Sequence, residues 1–223
     1  MRVEQPVAIG LLGGTFDPVH FGHLRMALEM REILNLAEVR LVPCGQPAHR
    51  AAPQASAADR LAMLELAIAK QTGLVIDRRE LDRPGPSYMV DTLVSLRGEL
   101  GQIQLCLLLG SDAFLGFQQW HRWQEIFLLA HLVVMQRPGW NLLDGLAEPL
   151  AKIMTARRVQ NIDDIWQAPA GSILLQAVTP LDISATKIRQ QIAAGRSPRY
   201  LLPDAVWDYI RQHGLYGWRD TFS

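Results

Sequence analysis

Apolar positions along this chain alternate between two patterns. Short, nearly continuous apolar runs at 7–12, 39–42, 74–76, 103–109, 131–135 and 173–177 predict buried strands. Between them, apolar residues recur at three- and four-residue spacing over 22–34, 57–71, 88–100 and 123–130, which predicts helices with one buried face. Strands this continuous, each followed by a helix, predict a parallel sheet covered on both faces. Crossovers of that kind are right-handed, so the expected architecture is α/β: a Rossmann-like, doubly wound sheet.

From residue 138 the pattern loosens. Gly139, Asn141, Asp144 and Gly145 read as loop, a helical stretch runs to about 159, and 161–171 reads as a second loop. After the strand at 173–177 come two predicted helices, 184–194 and 203–213, with Pro203 as a first helical residue and Gly214 as a stop. The chain therefore reads as a single domain over 1–223, with the core sheet in 7–137 and a small helical extension within 138–223. The Ala-, Pro- and Gln-rich segment 47–58 reads as a mobile loop.

Formal charge balances to zero over 223 residues, which argues against general attraction to nucleic acid or an anionic membrane. Two cysteines, Cys44 and Cys106, make no metal or disulfide pattern, and Cys106 sits in a strand run as a small core residue. No apolar run approaches membrane-spanning length and the first residues lack a secretory pattern, so cytoplasm is the expected location.

Chemistry concentrates at the end of the first strand. Gly13-Gly14-Thr15-Phe16-Asp17-Pro18-Val19-His20-Phe21-Gly22-His23 joins a strand to a helix through a glycine turn. Such a junction offers backbone N–H groups and a positive dipole end to a phosphate. The two imidazoles add directional donors, and His23 shares a helix face with Ala27, Met30 and Leu34, which turns its ring inward. His-x-x-His spacing also suits a metal, but no Glu lies between the two and no cysteine cluster joins them. The dinucleotide fingerprint Gly-x-Gly-x-x-Gly is absent and no acidic residue ends the second strand, which disfavours a redox enzyme of the Rossmann class.

A second constellation is Ile183-Ser184-Ala185-Thr186-Lys187-Ile188-Arg189, with Ser184 as the expected helix cap. A hydroxyl, an ammonium and a guanidinium at one helix start suit a departing pyrophosphate, since arginine grips oxygens bidentately.

Together these segments resemble the nucleotidyltransferase superfamily with a His-x-Gly-His signature, matched in full by His20-Phe21-Gly22-His23. The longer turn and residues 183–189 are similar to bacterial nicotinate-nucleotide adenylyltransferases, whose second motif usually reads Ile-Ser-Ser-Thr-x-Ile-Arg; Ala185 replaces its second serine. Pro47-Ala48-His49-Arg50 stands where that family has Pro-Pro-His-Lys. Gly85-Pro86-Ser87-Tyr88-Met89-Val90-Asp91-Thr92-Leu93 resembles its Ser-Tyr-Thr-x-Asp-Thr-Leu stretch, with Met89 for threonine. Gly110-Ser111-Asp112 matches a Gly-x-Asp, Trp120 and His121 follow in place, and Arg137 ends the fifth strand. Ser87 also suits a capping role for the helix after it.

This resemblance implies an adenylyltransferase joining ATP and nicotinate mononucleotide into deamido-NAD and pyrophosphate, with Mg2+ accompanying ATP and no dedicated protein metal site. It implies that His20, His23 and Arg189 are the catalytic groups. The ATP site would comprise Gly13, Gly14, Thr15, Phe16, His20, His23, Gly110, Asp112, Ser184, Thr186, Lys187 and Arg189. The mononucleotide would meet His49, Arg50, Tyr88, Met89, Trp120, His121 and Arg137, with its ring stacked on Trp120. Trp123, which precedes an apolar helix, reads as core. Three alternatives stand beside this reading: a relative acting on nicotinamide mononucleotide or phosphopantetheine, a Rossmann-class redox enzyme, and a non-catalytic nucleotide sensor.

Overall fold

The computed structural model describes residues 7–47, 52–136 and 146–219. In chain order the elements are β1 (Ala8–Gly14), α1 (Phe21–Ile33), β2 (Glu38–Pro43), α2 (Ala57–Ile68), β3 (Leu74–Ile76), α3 (Arg79–Asp82), α4 (Met89–Leu100), β4 (Gln104–Gly110), α5 (Ser111–Leu115), α6 (Ile126–Leu129) and β5 (His131–Gln136). There follow α7 (Leu150–Arg157), β6 (Arg158–Val159), α8 (Ile162–Ile165), β7 (Ile173–Ala177), α9 (Ala185–Ala193) and α10 (Asp204–Gln212).

All seven strands form one parallel sheet in the order β3-β2-β1-β4-β5-β7-β6. The expected doubly wound α/β architecture is thus the observed one. Side chains alternate between two cores even though the strand runs are apolar throughout. Leu12, Cys106, Leu108, Val133 and Met135 join α1, α2, α9 and α10 on one face. Leu11, Leu107, Leu109, Leu132 and Val134 join α4, α5, α6 and α7 on the other. Each fully buried leucine or valine here contributes roughly 1.5–3 kcal/mol, so the central strands anchor both layers.

Several local expectations change. The helix expected over 123–130 is a 3₁₀ turn, Trp123–Glu125, followed by the short α6. The helix expected over 57–71 stops at Ile68. It starts inside the segment read as a mobile loop, where the Ser56 hydroxyl accepts from the Asp59 N–H at 3.1 Å. Residues 158 and 159, read as the end of a helix, form an edge strand paired with Ile173 and Leu174. The second expected loop contains α8, at whose start the Asp164 carboxylate accepts from the Asn161 N–H at 3.3 Å. Pro203 lies just before α10 rather than in its first turn, with an extended ψ of 143°. Two of the sheet's strands come from beyond residue 138, so the sheet continues past the core boundary expected at 137.

Neighbouring order reverses at β1, which pairs with β2 on one side and β4 on the other. In such sheets the crevice at the carboxyl ends of these strands is the natural ligand site.

Candidate active site

A cleft of about 390 Å³ opens at that crevice. Gly13, Gly14 and Thr15 at the end of β1 form one wall with His23 of α1. Gly110 and Asp112, where β4 runs into α5, lie on its wall, as do Tyr88 and Met89 at the start of α4. Trp120 and His121 line it as well. Gly13 lets α4 approach closely: a Cβ there would lie 2.7 Å from the Met89 Cε.

The histidines are packed together. The rings of His20 and His23 stack with centroids 3.7 Å apart, and Phe16 meets His23 edge-on at 5.1 Å. Phe16 is itself 1% exposed, so its side chain braces the ring, and neither Phe16 nor His20 lines the cleft wall. His20 precedes α1 but makes no capping hydrogen bond, so helix capping does not explain it. Burial lowers its pKa to about 4. Burial lowers His23 well below its ordinary value, and its charged neighbour-to-be His20 lowers it further. Both Nδ1 atoms are buried without a hydrogen-bond partner among the described residues. Two neutral imidazoles with unspent polar atoms therefore flank the glycine turn.

Residues 183–189 are brought against the same turn. The Arg189 Nη1 donates to the Asp17 carbonyl at 2.7 Å, and its Nη2 donates to the Thr186 hydroxyl at 3.4 Å. Ser184 stands at the start of α9 but makes no side-chain cap. Lys187 is turned to solvent, where its Nζ lies 3.3 Å from the Asp182 carboxylate. None of these four lines the cleft wall itself.

At the α4 side, Tyr88 and His121 pack with ring centroids 4.3 Å apart. Trp120 leans on Phe117 at 5.3 Å, and Trp123, the expected core residue, meets Phe117 and Phe127 edge-on. Ser87 does not cap α4. Its hydroxyl accepts from the Gly45 and Gln46 N–H groups at 2.9 and 3.3 Å, tying the segment after β2 to the start of α4. His49, Arg50 and Arg137 lie outside the described residues.

Two further groups were given no role in the site from the sequence. Glu80 lines the cleft, buried, with burial raising its pKa and the Thr92 hydroxyl donating to it at 2.7 Å. Arg60, 1% exposed, donates to the carbonyls of Thr15 at 2.7 Å and Gly45 at 3.4 Å. A signal for Arg60 existed: it occupies the apolar face it shares with Met63, Leu64 and Ala67, at 60, 63, 64 and 67.

A parallel sheet with a glycine–histidine turn at its switch point defines a nucleotide-binding enzyme of the nucleotidyltransferase class. The family model described as cytidylyltransferase-like matches residues 11–191, taking in both the turn and the Arg189 segment. A protein of Halorhodospira halophila, named probable nicotinate-nucleotide adenylyltransferase, is 50% identical over 97% of this chain and 99% of its own length. A protein of Pseudomonas fluorescens with the same name is 53% identical over 93% and 96%. In fold, the chain is similar to a Plasmodium falciparum nicotinic acid mononucleotide adenylyltransferase complexed with NaAD. The TM-score is 0.72 at 16% identity, covering 96% of this chain and 98% of that one. The chain belongs to the cytidylyltransferase-like family and, within it, to the nicotinate-nucleotide adenylyltransferases.

Proposed function

We propose that this enzyme transfers the adenylyl group of ATP to nicotinate mononucleotide, releasing pyrophosphate and forming deamido-NAD for NAD biosynthesis in the cytoplasm. The names of the relatives support the substrates. The observation that carries the reading is a single cleft whose wall joins Gly13–Thr15 and His23 to Tyr88, Met89, Trp120 and His121.

A phosphate oxygen of the mononucleotide attacks the α-phosphorus of ATP in line. The new O–P bond forms as the bond from the α-phosphorus to the β-bridging oxygen breaks, and both electrons leave with pyrophosphate. The attacking phosphate is already anionic, so no general base is required. Catalysis rests on positioning and on stabilising charge as it moves to the leaving group. His20 and His23 donate to the triphosphate, as do the backbone N–H groups of residues 14–16. Arg189 takes the departing oxygens, with Ser184, Thr186 and Lys187 as further candidates around it. For Lys187 this role requires the side chain to leave Asp182. Gly110 and Asp112 bound the adenosine side.

Mg2+ bound with ATP supplies charge neutralisation on the triphosphate. Among the described residues, no three His, Cys, Asp or Glu side chains converge on one point, so the ion would be held by phosphate oxygens and water. Asp112 is the exposed carboxylate on the cleft wall that would be available to it.

The pyridine ring stacks on Trp120. Its carboxylate meets the N–H groups of Met89 and His121. The Met89 N–H belongs to the first turn of α4, where backbone donors lack helical acceptors. His49, Arg50 and Arg137 are proposed for the mononucleotide phosphate.

Pyrophosphate release tests this with ATP and, in parallel, nicotinate mononucleotide, nicotinamide mononucleotide and phosphopantetheine. Turnover with the first and poor efficiency with the second is the expected result. Equal efficiency with the two pyridine nucleotides rejects the carboxylate assignment, and ATP binding without turnover on any acceptor points to a nucleotide sensor.

A further inference from the structure

Tyr216 lies beyond the segment matched by the family model, which ends at residue 191, and belongs to no motif read in the sequence. Yet its hydroxyl donates to the Asp17 carboxylate (Oδ1) at 2.7 Å, across 199 positions of chain. Asp17 stands inside the glycine–histidine turn and is 5% exposed. Its Oδ2 accepts from the Gln54 N–H at 2.8 Å, and its Oδ1 accepts from the Ala55 N–H at 3.2 Å.

Asp17 also holds Arg189 in two ways. Its carbonyl accepts from Nη1 at 2.7 Å, and its Oδ2 lies 3.9 Å from the same nitrogen. The guanidinium Nε is buried without a partner among the described residues. Asp17 and Thr186 thus orient the guanidinium, and the Tyr216 hydroxyl joins the Gln54 and Ala55 N–H groups in holding the Asp17 carboxylate.

The Tyr216 backbone is left-handed, with φ 57° and ψ 25°, an uncommon conformation for a residue other than glycine. Burial, and then the Asp17 charge, raise the pKa of its phenol, which keeps the hydroxyl a donor.

We infer that Tyr216 is a positioning residue for pyrophosphate departure, acting through Asp17 to aim Arg189. The inference rests on the ATP role of Arg189 given above. A purely structural role, in which Tyr216 only pins the end of the chain, would lower stability without involving Arg189.

A double-mutant cycle on the full chain separates the two. Tyr216→Phe keeps the ring and removes the hydroxyl. It is expected to lower kcat/KM for ATP by about three- to tenfold and to leave KM for the mononucleotide within about twofold. In an Arg189→Ala background the same change should cost less than about 1.5-fold. Arg189→Gln replaces Arg189→Ala if melting curves reveal a folding defect.

The four proteins are also titrated with ATP carrying an α,β-methylene bridge, which binds without reacting. If the wild type binds this analogue but turns over no mononucleotide, the proposed activity fails while the affinity cycle still reads the Tyr216–Arg189 coupling. Wild-type kcat/KM in Tyr216→Phe, or an equal loss in both Arg189 backgrounds, overturns the inference.

Discussion

His20 and His23 stack with ring centroids 3.7 Å apart and planes 20° from parallel, at the mouth of the glycine turn. Two imidazolium ions would repel at that spacing, and burial opposes charge on either ring. Both rings are therefore held neutral, and in the mechanism proposed above they act on ATP as hydrogen-bonding groups. Replacing either histidine by alanine is expected to lower kcat by roughly 10²–10³, the loss typical of a missing transition-state donor. Circular dichroism should be unchanged. Near wild-type turnover in either folded variant would remove the histidines from the mechanism.

Burial of His20 also predicts how stability varies with pH. Its pKa falls from 6.5 to about 4 on folding, so between those values the unfolded chain binds more protons than the native one. Stability from this residue is complete above about pH 6.5 and is lost as pH falls towards 4, by at most about 3 kcal/mol. His131, likewise lowered to about 4 by burial, adds a loss in the same direction. Denaturant titrations at pH 7 and 4.5 should give a smaller acid-side loss for His20→Gln than for the wild type. An identical loss would contradict the assignment.

Arg60 ties α2 to the glycine–histidine turn. Burial lowers its pKa, and its Nη1 and Nη2 donate to the Thr15 and Gly45 carbonyls, while its Nε is buried without a partner among the described residues. Arg60→Met leaves those carbonyls without this donor and should cost about 2 kcal/mol of stability, measured in urea. Arg60→Lys should recover about half of it, since a compact ammonium lacks the guanidinium's fork. A methionine variant as stable as the wild type would mean that the carbonyls find other donors.

Trp120 is predicted to act on one substrate only. Trp120→Ala should raise KM for nicotinate mononucleotide about tenfold and leave KM for ATP within about twofold, because a stacked pair contributes on the order of 1 kcal/mol beyond area burial. Steady-state kinetics with each substrate varied in turn provides the check. Equal effects on both substrates would return Trp120 to a packing role beside Phe117.

Much of the fold was legible because strands in a doubly covered parallel sheet carry uninterrupted apolar runs, and every predicted strand exists within two residues of its expected bounds. The two-residue β6 was not legible, since Arg158 and Val159 carry no run of their own and become a strand only because β7 lies alongside. The glycine–histidine turn was readable for a different reason. Its residues are contiguous, so backbone geometry alone brings Gly13, Gly14, Thr15 and His23 to one cleft.

What the sequence by itself determined was thus the order and type of the main elements and the local chemistry at the end of β1. Only the tertiary structure decided which face each strand residue takes: Leu107 and Leu108 are adjacent and equally apolar, yet they enter opposite cores. It also decided that Ser87 holds the segment after β2, that Arg60 faces inward onto two carbonyls, and that Lys187 pairs with Asp182. Tyr216 meets Asp17 for the same reason. Periodicity records whether a position is buried in its own element, whereas a hydrogen bond across 199 residues depends on how α9, α10 and the turn after them pack back against β1, and distant packing leaves no local pattern in the chain.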